Sequence, residues 1–193
     1  MNEKRSKPRR LVVGVTGASG PQLSMRLMEV LQKQDDIETH LVISSSARRT
    51  LQLEMPDSKD RLEGLADIVH QPTDIAASIA SGSFRTMGMV VVPCSMKSLA
   101  GIATGLTDGL LGRAADVTLK ERRPLVLVTR EMPLNLVHIR NMETATLAGA
   151  TILPPVIGFY DNPKDVDGIL DHIIGRILDQ FDIDAGLFER WGE

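Results

Sequence analysis

The sequence predicts an α/β domain: a doubly wound parallel sheet with helices on both faces. Three observations lead there. Apolar runs of strand length, Leu11–Val13, Glu38–Ser44, Met87–Pro93 and Pro124–Thr129, alternate with segments whose apolar residues recur at helical spacing. The run at Met87–Pro93 is continuous in its apolar character, as it is where both faces of a strand are covered. Gly- or Ser-rich stretches follow the first three of these strands, at the carboxyl rim where such sheets hold their ligands. A chain of 193 residues, 42% hydrophobic and 24% charged, is long enough to bury one core. Residues 1–9 read as a basic, disordered lead-in and residues 10–193 as a single domain.

Charge and cysteine content narrow the setting. The formal net charge of -3 argues against general nucleic-acid binding, although Lys4, Arg5, Lys7, Arg9 and Arg10 make the start locally basic. The single cysteine, Cys94, excludes an internal disulfide and fits a reducing compartment. No apolar run approaches membrane-spanning length, and the start lacks the order of a signal peptide. A cytoplasmic protein without membrane or nucleic-acid partners is expected.

The first strand, Leu11–Val13, runs into Gly14-Val15-Thr16-Gly17-Ala18-Ser19-Gly20, and a helix with Leu23, Leu27 and Leu31 on one side follows. Such a turn suits an anion. Glycines let the backbone approach closely, the helix start offers unpaired N–H groups, and Ser19 adds a hydroxyl. The glycine spacing is neither the dinucleotide fingerprint nor a P-loop. The same glycines also suit a tight turn that only packs helix on sheet, so a phosphorylated ligand enters as a starting hypothesis.

The second strand ends in Ser44, on the same rim as Ser19 and equally suited to cap a helix from Ala47 to Leu53 that Glu54 ends. Residues 55–85 contain a short strand at Leu65–His70, a helical turn at Ile75–Ile79 and the flexible Ser81-Gly82-Ser83, and read together as a mobile loop over the site. His40 and His70, with no partner visible in sequence, read as surface or strand-edge histidines. The third strand delivers Cys94-Ser95-Met96-Lys97-Ser98 to the rim, with a helix through Thr104. No Cys–His signature accompanies Cys94, so it reads as a buried structural thiol.

A long helix is expected over Asp108–Arg123, with Arg113 and Lys120 two turns apart on one face. The next strand ends in Arg130-Glu131, an ion-pair-capable pair on the functional rim. A helix over Leu134–Ala150 includes His138, and a strand at Thr151–Leu153 precedes Pro154-Pro155 and Gly158-Phe159-Tyr160. The last helix carries an apolar stripe from Val166 to Leu178, bordered by Arg176.

Read in order, Gly17-Ala18-Ser19-Gly20, Ser44, Cys94 to Ser98, Arg130-Glu131, Pro154-Pro155 and Gly158-Phe159-Tyr160 resemble the flavin prenyltransferase family, formerly described as aromatic-acid decarboxylases. The likeness runs from Arg10 to Gly192. It is most specific at Arg113-Ala114-Ala115-Asp116-Val117, Leu119–Pro124 and Arg130–Leu134. The resemblance implies a flavodoxin-like, Rossmann-like flavoprotein subunit that assembles into a homododecamer. It implies an enzyme that joins a dimethylallyl group from dimethylallyl monophosphate to N5 and C6 of reduced FMN, making prenylated FMN for a partner decarboxylase of aromatic or unsaturated acids.

By that resemblance FMN is held by Gly17, Ala18, Ser19, Ser44, Ser95, Met96, Lys97, Ser98 and Arg130. The prenyl phosphate falls to Lys120, Tyr160 and Arg176 with Arg113 nearby, and Glu54, Lys120 and Glu131 are the catalytic candidates, the two acids handling protons or orienting groups. The physical logic agrees: phosphate departure leaves an allylic cation, so fixed positive charges must take up the phosphate, and no metal-ligand spacing is present. A dry, apolar pocket protects that cation from water.

Two departures stand out. Pro21-Gln22-Leu23-Ser24 follows the first turn where many members carry a tyrosine or similar residue shortly after, and the segment before Phe84 lacks a tryptophan that some carry. Proline suits the first position of a helix. Two other readings compete. A flavin-dependent oxidative decarboxylase of cysteine-derived substrates shares the fold but uses an Asn-containing segment, and Ser95-Met96-Lys97-Ser98 has no Asn. A non-catalytic carrier of FMN or prenylated FMN has Lys120, Glu131, Tyr160 and Arg176 against it.

Overall fold

The structure, a computed structural model, describes residues 9–159, 162–190 and 192. Among these, six parallel strands, β1 (Arg9–Val15), β2 (Ile37–Ile43), β3 (Ile68–His70), β4 (Gly88–Cys94), β5 (Leu125–Thr129) and β6 (Ala150–Ile152), lie in the order β3-β2-β1-β4-β5-β6. Chain direction across the sheet reverses between β1 and β4, the switch point of a doubly wound fold. Without the short edge strand β3, the remaining strands follow the flavodoxin order. Among the described residues no helix is long and apolar enough to cross a membrane.

Period-two alternation along the strands divides the core. Leu11, Val13, Leu41, Val90 and Val126 face one side, where they meet α1 (Pro21–Leu31), α2 (Ser45–Glu54), α3 (Ser58–Gly64) and α7 (Val166–Asp179). Val12, Val42, Met89, Val91 and Leu127 face the other, against α4 (Met96–Thr104), α5 (Gly109–Lys120) and α6 (Leu136–Leu147). Each fully buried leucine contributes about 1.5–3 kcal/mol, and α1 inserts Leu23, Leu27 and Leu31 as one stripe. That helix starts where the sequence signals it: Gly20 takes a φ of 98°, which a side chain disfavours, and Pro21 occupies the first helical position.

Three expectations need adjustment. Arg9 belongs to β1, not to the lead-in, with its guanidinium on the carbonyl of Phe181 at 2.9 Å, while residues 1–8 lie outside the described residues. The segment 55–85 is not one loop. It contains α3, and its later part is fastened to α5: Leu110 N–H donates to Pro72 O at 2.8 Å, Arg113 to Ala80 O at 3.2 Å, and Arg123 to Gly82 O at 2.7 Å. His40 is buried, with Nε2 3.0 Å from Glu38 Oε1 and Nδ1 2.9 Å from His70 Nε2. His138 closes a capping box with Asn135 at the start of α6.

Candidate active site

The site is built by strand ends. The ladder between β1 and β4 stops at Gly14 and Val91, and the two chains part beyond it. Around the resulting crevice lie the N-terminal turns of α1, α2, α4 and α5, each offering unpaired N–H groups and partial positive charge. A cleft of about 260 Å³ opens there, walled by Ser44 to Ser46 from α2, Ser95, Lys97 and Ser98 from α4, and Thr107, Asp108 and Leu111 leading into α5.

On the α1 side, the amides of Gly17, Ala18 and Ser19 and the Ser19 hydroxyl donate to no protein acceptor among the described residues. The next amide, Gly20 N–H, is taken by Glu54 Oε2 at 3.0 Å, which places this carboxylate from the end of α2 at the mouth of the turn. Gly17 sits so close to α2 that a Cβ there would lie 2.6 Å from the Ser46 Cβ, and Thr50 Oγ1 donates to its carbonyl at 3.3 Å. Only glycine lets the turn approach this closely.

Both readings of Ser44 hold in the geometry: it caps α2 by accepting Ala47 N–H at 3.1 Å, and it lines the cleft. Ser95 plays the same part for α4, accepting Ser98 N–H at 3.3 Å and donating to Ser98 Oγ at 3.1 Å. Lys97 is exposed and can turn its ammonium to an anion in the cleft. Met96 instead packs its side chain against the core, leaving its backbone at the helix start as its contribution. Burial pushes the Cys94 thiol up to about 12, so it is an inert core group.

At the end of β5, Arg130 N–H donates to Cys94 O at 3.1 Å and the side chain is exposed. Glu131 Oε1 accepts the Met132 amide at 3.1 Å, and among the described residues Arg130 and Glu131 do not pair with each other. The remaining cations do not wall the cleft. Lys120 ends α5 just before β5 begins, at the amino edge of the sheet, and pairs with Glu121, whose carboxyl that hydrogen bond holds below the usual range. Arg113 pairs with Asp116 at 2.6 Å and Arg176 with Asp179 at 2.7 Å. Tyr160 lies outside the described residues.

Sequence reasoning missed Thr16, Ser46, Thr50 and Thr107, four small hydroxyl residues that flank or wall the crevice. Proximity in sequence to the Gly17–Ser19 and Ser44 segments was the available signal for the first three. Thr16 is the most connected of them: fully buried, its Oγ1 donates to Pro93 O at 2.7 Å and accepts Ser95 N–H at 2.8 Å.

A sequence profile described as Flavoprotein matches residues 1–178. Flavin prenyltransferase UbiX of Escherichia coli (strain K12) is 54% identical over 185 residues, 95% of this chain and 98% of that protein. The chain belongs to the flavoprotein family, among the flavin prenyltransferases. The crystal structure of AnUbiX (PadA1) in complex with FMN and dimethylallyl pyrophosphate matches this fold with a TM-score of 0.93 at 49% identity, covering 96% of this chain and 98% of that one. A dodecameric FMN-dependent UbiX-like decarboxylase from Escherichia coli O157:H7 matches with a TM-score of 0.92 at 50% identity, covering 95% and 100%.

Proposed function

We propose that this chain is a flavin prenyltransferase that joins the dimethylallyl group of dimethylallyl monophosphate to N5 and C6 of reduced FMN. The observation that carries the reading is the donor set at the switch point: free amides at Gly17, Ala18 and Ser19, with Gly17 packed on Ser46 in the wall of a cleft formed by the N-terminal turns of α2 and α4. Backbone amides, serine hydroxyls and one lysine suit a ligand with both a phosphate and a polar ring edge. These residues fit FMN.

In this reading Ser44, Ser95, Lys97 and Ser98 hold the phosphate end, and Gly17, Ala18, Ser19 and Arg130 hold the remainder. Bound reduced FMN supplies the nucleophilic atoms. Glu54, whose carboxylate accepts Gly20 N–H, and Glu131, which follows β5, serve in this reading as the carboxylates that accept or return a proton. Lys120, Arg113, Tyr160 and Arg176 bind the prenyl phosphate and take up its charge on departure.

Because Lys120 and Arg113 do not wall the cleft of their own chain, the phosphate subsite is completed across subunits. The apolar surface supports such an assembly: Leu136, Val137 and Ile139 on α6 and Met132 just before it are exposed, Met132 to 88%, and a second copy would cover them. The dodecameric relative makes a homododecamer the reading for this chain. A cytoplasmic location and a decarboxylase that consumes the prenylated flavin complete it.

The test is anaerobic incubation of the full chain with reduced FMN and dimethylallyl monophosphate or the pyrophosphate, followed by mass analysis of the extracted flavin. A mass gain of one C5 unit with the monophosphate is the expected result. Tightly bound flavin of unchanged mass would instead make the chain a carrier.

A further inference from the structure

Where β1 and β4 part, carbonyls of β4 lose the strand partner that would have served them. The β1–β4 ladder ends at Val91, and the register of β4 against β5 shifts between Val91 and Cys94. Two buried hydroxyls from the α1 side of the crevice fill the gap: Ser24 Oγ donates to Val92 O at 2.7 Å, and Thr16 Oγ1 to Pro93 O at 2.7 Å. The backbone N–H of Thr16 reaches the same Pro93 carbonyl at 3.3 Å.

The two hydroxyls differ in what else they do. Ser24 spends its hydroxyl on one β4 carbonyl. Thr16 Oγ1 uses both its proton and a lone pair, because it also accepts Ser95 N–H at 2.8 Å. Ser95 is the residue that caps α4 and walls the cleft, and Thr16 immediately precedes the free amides of Gly17 to Ser19. One buried oxygen therefore bridges the two halves of the donor set, which come from opposite sides of the switch point.

We infer that Thr16 is a positioning residue of the flavin site: its hydroxyl sets the separation between the Gly17–Ser19 amides and the Ser95–Ser98 turn. The inference rests on the reading of the rim as an FMN site. A single fixed spacing is what a rigid ligand spanning both halves requires, since donors misplaced by a fraction of an ångström lose much of their hydrogen bonding. Valine keeps the shape of threonine and removes both bonds; serine keeps the bonds and removes the methyl.

The experiment uses the full-length apoprotein, with FMN titrated by quenching of flavin fluorescence and thermal unfolding measured without flavin. Thr16→Val should raise the Kd for FMN about tenfold or more, and Thr16→Ser should return it to within about threefold of wild type. Ser24→Ala is the control: it should lower the melting temperature as Thr16→Val does, yet leave the Kd within about twofold. Thr16→Ala serves if the valine variant does not fold, with the same loss of affinity expected. An unchanged Kd in folded Thr16→Val or Thr16→Ala, or an equal rise in Ser24→Ala, overturns the positioning role. Wild-type protein that fails to bind FMN overturns the flavin reading beneath it.

Discussion

The rim and the outlying cations are two kinds of functional surface. At the rim, one chain gathers Gly17 to Ser19, Ser44 and Ser95 to Ser98 because parallel strands all end on the same edge, and several of the donors there are backbone amides with no protein acceptor. Arg113, Lys120 and Arg176 stand on helix flanks, and each is paired with an acid close by in sequence, Asp116, Glu121 and Asp179. Topology alone preorganises the first group. The second is held in paired, neutralised form, and under the proposed function another surface and a stronger anion would have to displace those carboxylates.

The sharpest way to break this comparison is Lys120→Ala. Turnover of the prenyl phosphate should fall about 10²-fold or more, while FMN affinity measured by fluorescence titration stays near wild type. Equal loss of both would mean that the two surfaces are one site. Ser19→Ala works from the opposite side. It should weaken FMN binding about tenfold, the worth of one hydrogen bond to a charged or polar ligand group, and leave the dependence of rate on prenyl phosphate unaltered once flavin is saturating.

Two smaller effects concern the scaffold that keeps the regions apart. Thr16 and Thr129 are both buried threonines at strand ends, yet Thr16 Oγ1 has two partners and Thr129 Oγ1 has none among the described residues. Thr129→Val should therefore stabilise the apoprotein by about 1 kcal/mol, read as a higher midpoint in urea; a loss of stability would point to an undescribed partner. The smallest effect is titration at the β2–β3 edge. Burial, then the neighbouring His40, lower the pKa of His70, against the opposing pull of Asp74. Glu38 Oε1 lies 3.0 Å from His40 Nε2 and accepts from Arg10 Nε at 2.6 Å. The folded state thus prefers neutral His70: its contribution is complete above the ordinary value of 6.5 and declines as pH falls from there toward the lower folded value. His70→Gln should flatten that decline in denaturation measured from about pH 8 to pH 5.

Much of this was legible in the sequence, for reasons that particular residues make plain. The continuous apolar run of β4 and the glycines and serines after β1, β2 and β4 announce a parallel sheet with its site at the carboxyl rim, because backbone topology fixes both. The helix α3 was not legible. In Ser58-Lys59-Asp60-Arg61-Leu62-Glu63-Gly64 only Leu62 brings an apolar side chain to the core, so no stripe appears, and the helix leans on ion pairs such as Arg48–Glu63 at 2.9 Å. Spacing placed Arg113 and Lys120 on one face of α5 but could not say what that face meets, which is the 80–84 segment and not the cleft. The partnership of His40 with His70 and the bridge through Thr16 each depend on which strands lie side by side, and neither has a local signature.

The two edges of the sheet, β3 and β6, are each only three residues long. A second chain arriving edge-on would find about 10 Å of open ladder, too little to template an added strand. Copies of this protein are thereby steered away from growing a continuous sheet, the geometry of fibrils, and toward closed packing of their helices and loops, where the apolar side chains of α6 already wait on the surface.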